Sequence, residues 1–109
     1  MRTLVSTFEL KEAVSQESFE MAWADFRAAL ANVSPDTRLS RLLARVPSSD
    51  YDTDTERQHS FLTTITFPEA EEADRIWNVM EDSGSGLSKA HVAMLRLTKD
   101  QLFTFWASD

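Results

Sequence analysis

Side chains able to do chemistry are few in this sequence and thinly spread. His59 and His91 are its two histidines, the side chains whose ordinary titration falls near neutrality. Each is a candidate general base or metal ligand. Neither belongs to a His-x-His or His-Glu-x-x-His spacing, so no metal site is read. Carboxylates alternate at Asp50, Asp52 and Asp54, as at the first ligand positions of an EF-hand loop. The turn position that needs glycine holds Thr55, and the position that needs a bidentate glutamate holds Phe61. The run therefore reads as a solvated connection whose charges discourage edge pairing. Arg41, Arg45 and Arg96 stand in apolar stretches. A planar guanidinium grips a carboxylate in two places, so these three are candidate anchors for an acid. Without cysteine there is no thiol catalysis, disulfide or thiolate metal site, and no Gly-x-Ser-x-Gly turn marks a nucleophile.

The elements that must position these groups follow from periodicity. Residues 3–11 alternate, with Leu4, Phe8 and Leu10 on one face and Val5, Thr7 and Glu9 on the other, which predicts a strand. Ser15 offers an N-cap, and Phe19, Ala22, Trp23, Phe26, Leu30 and Val33 follow at helical spacing until Ser34-Pro35. Residues 38–46 read as a second strand bounded by Pro47, although leucine and alanine leave a helix open there. A polar connection fills 47–58. Residues 59–67 are the clearest strand, rich in β-branched and aromatic side chains. Pro68 and three glutamates open a second helix with Ala73, Ile76, Trp77 and Met80 as its buried stripe. Residues 82–86 end it. Residues 91–98 read as a fourth strand opened by His91, and 102–106 as a short last strand or extended tail. Trp23 and Trp77 are expected in the core. Trp106 is placed at an interface or over a pocket.

The order β-α-β-β-α-β predicts an α+β, ferredoxin-like subunit of one domain, 1–109, with a four-stranded antiparallel sheet, two helices on one face and an additional C-terminal strand. The more apolar parity of each strand faces the helices. The other parity carries Val5, Thr7, Glu9, Arg41, Arg45, Leu62, Thr64, Val92, Met94 and Arg96, too apolar to remain wet. A symmetry-related copy would cover it.

The element order, the length and the run Phe67-Pro68-Glu69-Ala70-Glu71-Glu72-Ala73 resemble the dimeric α/β-barrel group of ferredoxin-like domains. The resemblance implies a homodimer whose two sheets enclose a barrel with a ligand cavity in each half. Some members of the group are cofactor-independent oxygenases, some degrade or bind haem, and some isomerise lactones. The haem-degrading branch uses a first-strand asparagine, which this sequence lacks, so that site is not carried over and no cofactor is expected.

The function expected is binding of a small amphipathic, anionic, fatty-acid-like molecule in the barrel. Arg41, Arg45 and Arg96 would hold its head and Val5, Leu62, Val92 and Met94 its tail. One alternative is a cofactor-independent monooxygenase or isomerase with His59 or His91 as base. The other is a structural dimer without a ligand. A net charge of −7 argues against nucleic acid, and no stretch approaches the ~20 apolar residues of a membrane span. A cytoplasmic protein is expected.

Overall fold

The computed structural model describes residues 1–47 and 49–108. Its elements are β1 (Arg2–Leu10), α1 (Gln16–Val33), β2 (Arg38–Leu39), β3 (Leu43–Ala44), β4 (Phe61–Phe67), α2 (Ala70–Glu81), α3 (Gly86–Leu95) and β5 (Thr98–Ala107). The sheet runs β2-β4-β1-β5, with β3 also pairing β4. Every pairing is antiparallel.

α1 forms where its cap and its stripe agree. Ser15 Oγ accepts the Ser18 N–H at 3.0 Å, and Phe19, Trp23, Phe26 and Leu30 are all buried. The Trp23 indole N–H donates to the Ser40 carbonyl at 2.9 Å, which ties α1 to the chain beyond β2. Ser34 ends the helix fully buried, and its hydroxyl donates to Glu72 Oε2 at 2.8 Å. Arg75, and then this serine, hold the Glu72 carboxyl below its ordinary value. The first helix is thus pinned to the second. Phe8 and Phe67 of the sheet, Ile76 of α2, and Leu87 and Met94 of α3 complete the core.

The structure corrects the sequence expectation in three places. Residues 91–98 are not a strand. Ser85 caps α3 by accepting the Ser88 N–H at 3.0 Å, and Leu87, Ser88 and Met94 turn inward. Val92, Met94 and Arg96 therefore leave the barrel-facing set: Met94 is core, Val92 is exposed, and Arg96 is the exposed C-cap of α3. The segment expected as an extra strand belongs to β5, the fourth main strand, which pairs along β1. The expected strand at 38–46 is broken into β2 and β3. Ser40 Oγ accepts the Thr64 N–H at 2.8 Å, taking a ladder position that a strand carbonyl would otherwise fill.

Register assigns the two faces. Leu4, Ser6 and Phe8 stand opposite Ile65, Thr63 and Phe61 on the helix side. Val5 and Thr7 stand opposite Thr64 and Leu62 on the helix-free side, joined by Leu43, Leu102, Thr104 and Trp106 from the flanking strands. Between Thr7 and Glu9 the register with β5 shifts at a bulge, where Asp100 takes φ 56°. Aspartate tolerates that left-handed conformation better than most residues do.

Candidate functional site

On the helix-free face, Thr7, Leu43, Leu62, Arg45 and His59 border a hollow of about 310 Å³ at one end of the sheet. Its arginine is already occupied. The Arg45 guanidinium donates to both Asp52 carboxylate oxygens, at 2.6 and 2.7 Å, to the Asp54 carbonyl at 2.7 Å, and to the Arg57 carbonyl. Asp54 in turn accepts the Arg57 and Glu56 N–H groups and the Arg57 guanidinium, which lowers its carboxyl to about 2. The acidic run is thus a loop wound around one arginine. Arg41 is exposed before β3, and Arg96 lies in the helix layer. The three arginines share no cavity, so they do not converge on one anion.

His59 is tied down as well. Its Nε2 donates to the Asp100 carbonyl at 2.7 Å, and Nδ1 lies 3.4 Å from Thr7 Oγ1. It bridges across β1 to the bulge. The Glu9 carboxylate accepts the Ser60 N–H at 2.6 Å at the same end of the sheet.

The larger cavity is on the other side. About 510 Å³ lies between the sheet and the helices, walled by Leu4, Ile65, Phe67, Phe103 and Phe105 below and by Phe26, Leu30, Ile76, Met80 and Leu95 above. Its titratable groups are Asp74 and His91. Trp77, expected in the core, is 58% exposed and stands on the wall, its indole N–H donating to Glu81 Oε1 at 2.6 Å. Because this space is unfilled, the α2 stripe has only Ile76 fully buried.

His91 forms part of that wall, with its ring 5.6 Å from the Phe26 ring. Burial pushes the imidazole below its ordinary value, so it is neutral at pH 7. His91 also borders a smaller recess of about 40 Å³, which shares Leu4, Ile65, Leu95 and Phe103 with the main cavity. Ser6 and Thr63 line this recess. Sequence reasoning passed over both, although they break the apolar parity of β1 and β4, and that interruption is the signal that marks them.

This strand order with all helices on one face is the ferredoxin-like fold, which dimeric proteins of known structure share. The chain superposes on a protein of Arabidopsis thaliana with a TM-score of 0.71 at 16% identity, covering 100% of this chain and 96% of that one. Hydroxynitrile lyase of Passiflora edulis matches with a TM-score of 0.68 at 11% identity, over 99% of this chain and 93% of the lyase. A dimeric ferredoxin-like protein of unknown function from Thermobifida fusca matches with a TM-score of 0.63 at 9% identity, over 98% and 90%. At these identities the likeness is one of fold. No protein-family model and no curated protein matches the sequence. No helix among the described residues is long and apolar enough to cross a membrane.

Proposed function

We propose that this protein binds a small, largely apolar molecule on the helix side of its sheet, and that two copies associate through the helix-free side. The cavity carries the proposal. About 510 Å³ is a ligand-sized volume, and its walls are hydrocarbon apart from Asp74, His91 and the Trp77 indole N–H. The expected anionic head group has no support here, because the loop already takes four hydrogen bonds from Arg45 and no arginine or lysine lines the cavity. Association is supported by the open sheet face, where Leu43, Leu102 and Trp106 are 51%, 41% and 61% exposed among threonines. The Thermobifida fusca protein of the same fold is itself dimeric.

A second reading is favoured by one observation, the neutral imidazole on the cavity wall. A desolvated histidine held below its ordinary value is poised to take a proton from a bound molecule near neutral pH. The Passiflora edulis lyase supports this only by showing that the fold houses catalysis. A purely structural dimer gives the cavity no use.

The test is uptake of the neutral dye Nile red. Wild-type protein should enhance its fluorescence saturably. Ala73→Phe, which places a ring in the cavity, should abolish the enhancement while the far-UV spectrum is unchanged. Undiminished uptake by this variant would place the ligand elsewhere.

A further inference from the structure

The recess beside the main cavity is lined by two hydroxyls, those of Ser6 and Thr63. Ser6 is 9% and Thr63 is 3% exposed, and neither side chain makes a hydrogen bond within the described residues. Both oxygens remain open to the recess, since no fully enclosed side-chain oxygen or nitrogen lacks a partner. The two residues are direct cross-strand partners, so both hydroxyls project from adjacent points of the helix-facing sheet surface. Of the other polar groups of the recess, Trp23, Thr98 and Gln101 are paired, and the His91 imidazole stands at its border. Thr98 Oγ1 donates to the Leu95 carbonyl at 2.8 Å and accepts from Gln101 Nε2 at 2.8 Å. Both hydroxyls are therefore available to a molecule that enters the recess.

From this, and resting on the cavity reading above, we infer that the ligand is a neutral carbonyl compound, a ketone or aldehyde on an apolar body. Its oxygen sits between the Ser6 and Thr63 hydroxyls, and its body extends past His91 into the larger cavity. A carbonyl oxygen has two lone pairs and brings no hydrogen of its own, so both hydroxyls donate to it at once. A carboxylate would enter without a cation, since no arginine or lysine lines either space, and Asp74 would repel it. A pure hydrocarbon would leave both hydroxyls unsatisfied.

The experiment displaces Nile red with three probes of matched size: acetophenone, ethylbenzene and benzoate. Wild-type protein should bind acetophenone about tenfold more tightly than ethylbenzene, the scale of one to two net hydrogen bonds, and should not bind benzoate. In the Ser6→Ala/Thr63→Val double variant, the preference for acetophenone over ethylbenzene should disappear, ethylbenzene binding at least as well as to wild type. The double variant should melt no lower than wild type, because the hydroxyls it removes bond nothing in the unliganded protein. Equal wild-type affinities for ketone and hydrocarbon, a ketone preference that survives the double substitution, or a lowered melting temperature would each overturn the assignment. If ethylbenzene displaces the dye and acetophenone does no better, the carbonyl assignment fails and the cavity reading stands. If no probe displaces the dye, both fail.

Discussion

Filling the helix-side cavity should stabilise the protein, and the size of the effect can be worked from its walls. Ala73 lies on α2, half-buried, facing the space bounded by Phe67, Ile76 and Phe105. Phenylalanine at this position adds about 100 Å² of apolar surface that can be covered without displacing a neighbour. At roughly 25 cal/mol per Å² that contributes about 2.5 kcal/mol. Ordering the ring costs about 1 kcal/mol, and the weaker helix propensity of phenylalanine costs about 0.5 kcal/mol. The net gain is about 1 kcal/mol, which corresponds to a rise in Tm of about 4–6 °C for a chain of this size. Calorimetry on wild type and Ala73→Phe measures it directly. A fall in Tm of similar size would show that the ring meets packed atoms, and that the space between α2 and the sheet is not open in solution.

Leu62→Glu puts a charge on the helix-free face and should turn a dimer into a monomer by light scattering; an unchanged mass would move the interface elsewhere. Arg45→Met removes the group around which the acidic loop is wound. Amide exchange at Glu56 and Arg57 should quicken about tenfold or more while β4 is unaffected, and uniform exchange across the two would mean the loop holds itself. His91 gives a pH signature. Its folded value lies below the ordinary 6.5, so the unfolded chain takes up a proton that the folded one resists. This contribution to stability is complete above about pH 6.5 and is lost as pH falls below it, so the urea midpoint should drop between pH 7.5 and 5.5 in wild type but not in His91→Leu. Equal drops in both proteins would sink this assignment. Trp23→Phe keeps an aromatic ring but deletes the 2.9 Å bond to Ser40 and part of the buried indole, which together should cost about 1–3 kcal/mol in chemical denaturation; no loss would mean that neither holds α1 in place.

Where one periodicity dominates, the sequence was legible. Phe19, Trp23, Phe26 and Leu30 admit only a helix, and residues 61–67 admit only a strand. Residues 91–98 satisfy both. Their alternation suggests a strand, yet Leu87, His91, Met94 and Leu95 also recur at helical spacing, and the cap Ser85-x-x-Ser88 decides between them. Read as a turn, that serine concealed the helix and put three residues on the wrong layer. Trp77 misled for another reason. Its spacing matches Ile76 and Met80, but a helical stripe shows which face turns inward and not whether the space beneath it is filled. Arg96 was misplaced because it caps α3 in the helix layer, and Arg45, though on the helix-free side, is taken up by the loop that follows it. The pairing of Ser6 with Thr63 is set by strand register, which no local pattern reports.

The β1–β5 pairing has a consequence for synthesis. β5 follows every other described element of this fold, and β1, which precedes them, must wait for it: Arg2 pairs with Ala107 and Leu10 with Thr98. Until β5 is available, β1 is an unprotected border, and the sheet offers an apolar surface to any neighbouring polypeptide. Cleavage just after α3 would therefore remove an inner neighbour's cover, and the shortened product should be sticky and short-lived.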